Sequence, residues 1–562
     1  MWYNEDMNEI RERIEKVVKE LFGVVETPEV TPAPELGTGE FRADFATNVA
    51  MKLAGKLRKN PREVAEEIKT ELEKGESGVR VEIAGPGFLN FMLPDEYFKK
   101  NLEEMAGKFE EKISRDEYFG KVVVTEFSDP NPFKVLHVGH LYTSIMGESI
   151  SRLIEFSGGK VHRVNFGGDV GLHVAKTIYA LKRTDEKNKG GEYSIEDIAK
   201  AYVEGTRAYE DDAEAKAEIV ELNKKIYEIA EKKLHEGEIA ELYWRGRELS
   251  YKYFDQFYDR IGVKFEKYYP ESTVAGKGLE KVREHVPEVY KESDGAVVFL
   301  GEEFGLHTRV FINKEGLPTY EAKDVGLLFQ KDEDYKFDES VVITGNDIID
   351  YMKVVLKSVE QYAPELVKKT RHITHGNVRL PGNEKMSSRK GNFIKAVDIL
   401  DKVENTLATP SETIALGAIK YAFLKYKIGG NIDFNIEESV SMTGNSGPYL
   451  QYSVVRAKKI LEKIKSDEGE MSGEWKLNEN EIKLNKKFIQ YREVLGEAIK
   501  EKAPHIICNF LFELAQEFSR FYETTKVAGD EFENERRREV VVFKKIMEHG
   551  LNILGIEVPE SM

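Results

Sequence analysis

The stretch KVVVTEFSDPNPFKVLHVGHLYTSIMGESISRLIEFSGGKVHRVNF, residues 121–166, decides the fold. It opens on a β-branched run, Val122 to Thr125, which has the composition of a buried strand. A Pro130-Asn131-Pro132 loop ends that run. Apolar residues then recur at helical spacing over about 139–157, and KVHRVNF at 160–166 resumes a strand. Strand, loop, helix and strand within about 45 residues form a parallel βαβ unit. Sheets of this kind bind ligands beyond the carboxyl ends of their strands, so chemistry is expected between Glu126 and His140.

Upstream, the first hundred residues read as a small α/β module. An amphipathic helix spans 8–22, and a proline-bearing loop covers 28–34. FRADFATNVAMKLAGKL at 41–57 has helical spacing, and VRVEIAGPGFLNFML at 79–93 alternates as strands around Gly85-Pro86-Gly87. The module holds no cluster suited to catalysis, so it reads as a docking unit or as a folding unit without chemistry. Downstream, polar helical sequence interrupts the α/β pattern. Strand-like pieces return at 296–300, 308–312 and 341–344, and the chain is helical after about 415. The expected division is an N-terminal docking domain (1–112), a Rossmann-like α/β catalytic domain (113–415) with a helical insertion at about 183–290, and an all-α helix bundle (416–562).

The chain has 562 residues, and its 83 lysines and arginines against 101 acids give a net charge of −18. Taken globally, that argues against a nucleic-acid partner. Residues 441–562, however, carry 19 basic against 21 acidic residues, so the acidity lies elsewhere and a basic face is allowed there. One cysteine, Cys508, excludes an internal disulfide and a cysteine-based zinc site. No apolar run reaches the ~20 residues of a membrane span, and residues 8–22 do not read as a signal peptide. The expected location is cytoplasmic.

Three motifs carry potential chemistry. His137-Val138-Gly139-His140 sits between strand and helix, where free N–H groups and the helix dipole favour phosphate. Gly139, lacking a Cβ, lets a flat ligand approach the backbone. Polar loop surface is the other reading, and the flanking strand and helix weigh against it. Glu384-Lys385-Met386-Ser387-Ser388-Arg389-Lys390-Gly391 is either an exposed basic turn or a cationic loop able to clamp a polyphosphate. In GLPTYEAKDVG (316–326), Tyr320 and Asp324 are four apart on one helical face. A phenol beside a carboxylate suits a planar cation, and Asp324 can take a guanidinium by two parallel hydrogen bonds. Taken alone, the pair is equally a helix-start charge beside a packed tyrosine.

Together HVGH and KMSSR resemble the paired signatures of class I aminoacyl-tRNA synthetases, usually HIGH and KMSKS. Arg389 stands in the last place, where serine is usual. With Tyr320 and Asp324, nearly the whole chain resembles the arginyl-tRNA synthetase family. VTEFSDPNPFKVLHVGHLYTSIMGESISRLIEFSG and RVNFGGDVGLHVAK are similar to its first nucleotide-fold segment, and GLPTYEAKD to its arginine-pocket helix. FRADFATNVAMKLA and VEIAGPGFLNFML are similar to its N-terminal domain, which contacts the tRNA elbow. GNSGPYLQYSVVRAKKIL and LNILGIEVPESM are similar to its anticodon-binding domain.

The resemblance implies ligation of L-arginine to tRNA(Arg), with ATP and Mg2+ as a substrate complex, no zinc or other resident metal, no membrane and a monomer. It implies that Lys134, His137, Gly139, His140, Lys385, Met386, Ser387 and Ser388 hold ATP, with His137, His140 and Lys385 catalytic. It implies that Glu126, Asn131, His137, Tyr320 and Asp324 hold arginine. Bound tRNA is expected to stimulate activation, and no proofreading site is expected. Arg456, Lys458, Lys459, Arg536, Arg537 and Arg538 are candidate tRNA contacts, each of which also reads as a solvated helix face. Two positions depart from the family pattern. Val170 stands where tryptophan is common, and Ile348 where a glutamine often lines the pocket, with Asp347 or Asp350 expected to supply the polar contact.

Three other readings compete: a small-molecule nucleotidylyltransferase, a synthetase for another amino acid, and a tRNA-binding protein without catalysis. The first needs neither terminal domain. Cysteine and lysine enzymes usually bring zinc ligands, which Cys508 alone cannot supply, and a glutamate pocket would want cations in place of Asp324. The third should have eroded nucleotide motifs, and both are intact.

Overall fold

Five parallel strands form the catalytic sheet: β1 (Val122–Glu126), β2 (Lys160–Gly167), β3 (Lys267–Pro270), β4 (Glu339–Gly345) and β5 (Thr370–His375). They come from a computed structural model that describes residues 7–33, 43–74, 79–188, 193–379, 394–464 and 471–562. The sheet order is β5-β4-β1-β2-β3. The chain therefore runs outward from β1 through β2 and β3, then returns to the other side for β4 and β5. That reversal opens a crevice between the carboxyl ends of β1 and β4, where doubly wound sheets bind ligands. Glu126, the last residue of β1, pairs in register with Val342 on one side and Val164 on the other.

The helix Val138–Phe156 follows β1 and is buried on nearly all faces. An all-round buried helix needs neighbours on both sides. The sheet provides one, and Phe127 lies so close to Gly147 that a Cβ there would come within 2.2 Å of its ring. The C-terminal domain provides the other: Arg152 donates to the backbone and side-chain oxygens of Asn552 at 3.0 and 2.9 Å.

Four helices, Leu172–Asn188, Ile195–Asp211, Ala213–Lys232 and Glu238–Ile261, lie between β2 and β3 around an apolar cluster of their own. The helical insertion thus occupies 172–261, whereas the sequence placed it at 183–290. Residues 267–284 belong to the sheet layer as β3 and the helix Glu271–Glu284. KYYP escapes a strand reading because β3 is an edge strand with Lys267 and Tyr268 half-buried. The pieces near 296–300 and 308–312 pair with each other and with Lys291–Ser293 in a separate antiparallel sheet.

The N-terminal unit packs the helix Met7–Phe22 and two shorter helices on an antiparallel sheet, ordered Val30–Pro32, Phe45–Thr47, Phe88–Met92, Arg80–Ala84. The helical spacing of 41–57 resolves into a strand at Phe45–Thr47 and a helix at Val49–Leu57. Cross-strand pairing of Phe45 with Phe91 overrides the local pattern. This unit meets the C-terminal bundle through Lys486–Asp44 at 2.8 Å and Arg11–Glu493 at 2.7 Å. The bundle itself comprises Gly447–Lys463, Glu479–Glu501, Pro504–Thr524 and Glu533–Ile553.

Candidate active site

His137 caps the helix that carries the first motif. Its Nδ1 accepts from Gly139 N–H at 3.1 Å, and His140 Nδ1 accepts from His137 N–H at 3.1 Å. This reciprocal pair is a capping box built from imidazoles. The two rings stack with centroids 3.9 Å apart. A Cβ on Gly139 would lie 2.8 Å from His137 Cε1, so the glycine is required by the His137 ring itself. Burial, reinforced by Lys134, pushes His137 down to about 4; burial with His137 and Lys134 pushes His140 well below its ordinary value. Both are neutral imidazoles at pH 7.

The loop before the motif is held in an unusual shape. Ser128, Asp129 and Phe133 have φ values of 76°, 51° and 65°. Three non-glycine residues with positive φ are costly unless the surroundings fix them. Ser128 Oγ bonds Tyr258 OH at 2.8 Å, Asp129 Oδ1 accepts from Phe166 N–H at 2.9 Å, and Phe133 N–H donates to Ser250 Oγ at 2.9 Å. The result turns Asn131 toward β2, where its Oδ1 accepts from Gly168 N–H at 2.8 Å.

A cleft of about 590 Å³ opens over the motif. Asn131, Lys134, His137, His140 and Lys395 line one side; Lys200, Tyr202 and Val203 of the helix Ile195–Asp211 line the other. The Lys134 ammonium lies 4.9 Å from the Tyr202 ring centre. Residues 394–396 are fastened to the motif: Val138 N–H donates to Ile394 O at 3.2 Å and Ala396 N–H to Leu136 O at 2.9 Å. Lys385, Met386, Ser387 and Ser388 lie outside the described residues, nine or fewer positions before that anchor.

The second group of expected residues gathers on the helix Tyr320–Tyr335, across the crevice from β1. Gly278 and Gly326 allow it to touch the helix Glu271–Glu284 backbone to backbone; a Cβ on Gly278 would be 1.9 Å from Ala322 O. That approach buries Lys323 against Glu271 at 2.6 Å. Two turns beyond Asp324, buried Lys331 donates to Glu126 and, at 3.1 Å, to Ser340 Oγ. Glu126 and Asp324 thus approach from opposite walls. Tyr320 is 57% exposed at the rim, with the Lys323 ammonium 5.1 Å from its ring centre.

Asp324 accepts a hydrogen bond from Tyr351 OH. Burial, with Glu126 and Glu271 nearby, pushes its carboxyl up to about 8 against the opposing pull of Tyr351 and Lys331. Burial and Glu126 likewise hold Asp129 well above the usual carboxylate range. Asp350 is exposed and paired with Lys353 at 3.2 Å, and Asp347 is exposed near His137. The group that donates to Asp324 is the Tyr351 hydroxyl. Val170 is fully buried against the insertion core, so an apolar residue of smaller size fills the place of the tryptophan. Sequence reasoning also missed Lys323, Lys331 and Glu271. A single buried-lysine signal, Lys-Asp in EAKD, was visible but gave no partner.

Of the basic residues in the bundle, Arg456 lies over the Tyr522 ring at 4.2 Å and Lys459 is exposed. Lys458 is 3.5 Å from Glu548. Arg536 is committed to the fold: it meets Glu481 at 2.8 Å and Asp530 at 2.5 Å. Arg537 and Arg538 are half-buried.

Residues 108–435 match the catalytic domain of class I tRNA synthetases (R), 450–562 the DALR anticodon binding domain, and 8–93 the arginyl tRNA synthetase N-terminal domain. The arginine–tRNA ligase of Clostridium perfringens is 31% identical over 584 residues, covering 98% of this chain and 99% of that protein. That of Fusobacterium nucleatum is 29% identical, covering 99% of each. In fold, the chain is similar to the arginyl-tRNA synthetases of Thermus thermophilus (TM-score 0.76, 24% identity, 99% and 100% covered) and Plasmodium falciparum (0.78, 20%, 99% and 99%). With the catalytic match spanning more than half the sequence and a relative alike from end to end, the chain belongs to the class I arginyl-tRNA synthetase family.

Proposed function

We propose that the chain is an arginine–tRNA ligase whose chemistry takes place in the crevice between β1 and β4. Arginine's carboxylate attacks the α-phosphorus of ATP, giving arginyl-adenylate and releasing pyrophosphate. A terminal ribose hydroxyl of tRNA then attacks the adenylate carbonyl, giving arginyl-tRNA and AMP. Neither step needs a protein nucleophile; positioning and charge stabilisation suffice. The observation that carries this reading is the carboxyl of Asp324, bonded to Tyr351 and within electrostatic reach of Glu126 and Glu271, together with neutral His137 and His140 at the helix start that follows β1.

In this reading Lys134, His137, Gly139 and His140 receive Mg·ATP at the helix N-terminus, and Lys385, Met386, Ser387 and Ser388 serve its phosphates. Neutral imidazoles suit that task because they donate and accept hydrogen bonds without losing charge to pH. Glu126 and Asn131 place the amino-acid end, and Tyr320 and Asp324 read the guanidinium. The N-terminal unit (1–112) and the bundle (416–562) hold tRNA, with Arg456 beside Tyr522 as a platform for a base. The working unit is a monomer.

Charging of total tRNA with each of the twenty amino acids tests the function. Arginine alone should be accepted, and Asp324→Ala should abolish its use while leaving ATP binding intact. Charging by another amino acid would overturn the pocket assignment. An Asp324→Ala protein that charges arginine normally would do the same.

A further inference from the structure

The side chain opposite Asp324 is the unexpected feature of the pocket. Ile348 is apolar and half-buried, and Asp350 is engaged with Lys353 on its own helix. Tyr351, three residues beyond Ile348 on the helix Ile349–Glu360, donates its phenol hydrogen to Asp324 Oδ2. Its ring is braced. The guanidinium carbon of Arg309 lies 5.3 Å from the ring centre, and Arg309 pairs with Glu321 at 3.2 Å. Arg309 Nε is buried without a hydrogen-bond partner, so the guanidinium is placed by these two contacts in preference to its full complement of bonds. Glu321 and Asp324 are three apart on one helix, so the Arg309–Tyr351 pair is clamped onto the same face that carries the pocket.

We propose that Tyr351 is a positioning residue for arginine specificity: its hydroxyl fixes Asp324 as an oriented carboxylate, with Arg309 holding the ring, in place of a polar side chain at position 348. The inference rests on the arginine pocket proposed above. Its physical reason is the composition of the site. Asp324 faces Glu126 of β1, Glu271 of the neighbouring helix, Lys331 of its own helix and Tyr351. Asp129 of the loop lies within electrostatic reach as well. In such company a carboxyl tends to keep its proton. A protonated acid presents an O–H to a guanidinium that has five N–H donors and no acceptor. A phenol donating to Oδ2 eases the release of that proton when arginine binds and points the remaining lone pairs toward the ligand. Tyr351 can do so across the working range because burial and Asp324 hold its own ionisation well above the ordinary value.

Tyr351→Phe keeps the ring and removes the donor. At pH 7 its arginine KM should rise roughly tenfold to a hundredfold, the loss of one hydrogen bond to a charged group. Its kcat at saturating arginine and its ATP KM should stay within twofold of the unaltered enzyme, and the arginine defect should narrow toward pH 9 as Asp324 ionises unaided. Arg309→Met, which removes the brace and the ion pair to Glu321 but keeps the Tyr351 hydroxyl, should raise the arginine KM by a smaller factor. An unchanged arginine KM in Tyr351→Phe, or a defect confined to kcat or ATP, overturns the proposal. If Tyr351→Phe fails to fold, Arg309→Met decides: a raised arginine KM supports the proposal and an unchanged one overturns it. Asp324→Ala in the same assay separates the two levels. If that variant loses arginine while Tyr351→Phe does not, this inference fails and the pocket stands. If the variant charges arginine normally, the pocket itself fails.

Discussion

Gly139→Ala is the sharpest probe of how this site is built. The added methyl would sit 2.8 Å from His137 Cε1 and 2.9 Å from Nδ1, closer than nonbonded carbon tolerates. Helix backbone cannot yield, so the His137 ring must swing away. Its hydrogen bond from Gly139 N–H is lost, and the stack on His140 at 3.9 Å opens. Loss of an N-cap bond costs about 1 kcal/mol, and a side chain forced off its rotamer about 1 kcal/mol more. The folded protein can absorb about 2 kcal/mol and remain folded, since domains of this kind have roughly 5–15 kcal/mol to lose. ATP binding has less room: if the displaced ring is the one that meets phosphate, the same 2 kcal/mol appears as a rise in ATP KM of roughly thirtyfold. The assay is tRNA charging at saturating arginine with ATP varied, alongside a thermal melt. The expected result is a melt lowered by a few degrees, a much higher ATP KM, and an arginine KM within twofold. An ATP KM within twofold of the unaltered enzyme would refute the argument, because it would mean that the ring can move without consequence or does not serve ATP.

Three further outcomes follow from the geometry, and one from the sequence motif that holds Lys385. Asp324, raised to about 8, favours the folded state at low pH and loses that contribution as pH rises through about 8. If the proposed pocket holds arginine on the ionised form, its KM should rise by up to tenfold per unit below pH 8, and its thermal stabilisation should be larger at pH 9 than at 6.5; a stabilisation independent of pH would contradict this. Lys331→Met strands Glu126 in the core and should destabilise by about 3–5 kcal/mol in urea unfolding, whereas pairing it with Glu126→Gln should recover most of that loss. Lys385→Ala should lower kcat roughly a hundredfold with little change in ATP KM if its ammonium meets charge that develops on the phosphates; a pure KM effect would mean ground-state binding. Arg536→Ala should lower the melting temperature and leave tRNA affinity unchanged, while Arg456→Ala should weaken tRNA binding and flatten its salt dependence.

What was legible in the sequence is what lies on one element. Tyr320 and Asp324 share a helix face, and their spacing alone put them together. His137, Gly139 and His140 occupy one helix start. What escaped depends on sheet order. Glu126 and Lys331 are 205 residues apart, and they meet because β1 and β4 flank the reversal that the intervening connection creates. Glu271 and Lys323 are 52 apart, and they meet because two glycines let their helices touch. The role of Gly139 was half legible: the lack of a Cβ was rightly singled out, but the atom that needs the space belongs to His137 and not to a ligand. Arg536 misled for the opposite reason. Its run of arginines reads as a solvated cation cluster, yet the first of them turns inward to Glu481, which is already engaged in capping the facing helix through Asn478. Charge runs report composition, and only packing reports which member is left over.

The distribution of partners among the pocket carboxylates carries one last step. Glu126 and Glu271 each have a buried lysine, Lys331 and Lys323. Asp324 and Asp129 instead accept from uncharged donors, the Tyr351 hydroxyl and the Phe166 amide. Burial and neighbouring carboxylates hold those two above the ordinary range, and burial raises Glu271 as well despite Lys323. A buried acid without a counter-charge is a standing cost to the fold, relieved in the empty pocket by keeping a proton. A cationic substrate relieves it differently, by displacing the proton and supplying the missing charge. In the proposed pocket arginine would therefore bind where the fold is itself least settled, so that a cation is selected without a resident salt bridge to break first. Lysine could also supply the charge, but a compact ammonium cannot span two oxygens of a carboxylate whose orientation Tyr351 has fixed. On the proposed assignment, charge admits the class of substrate, and the fixed carboxylate plane separates arginine from lysine within it.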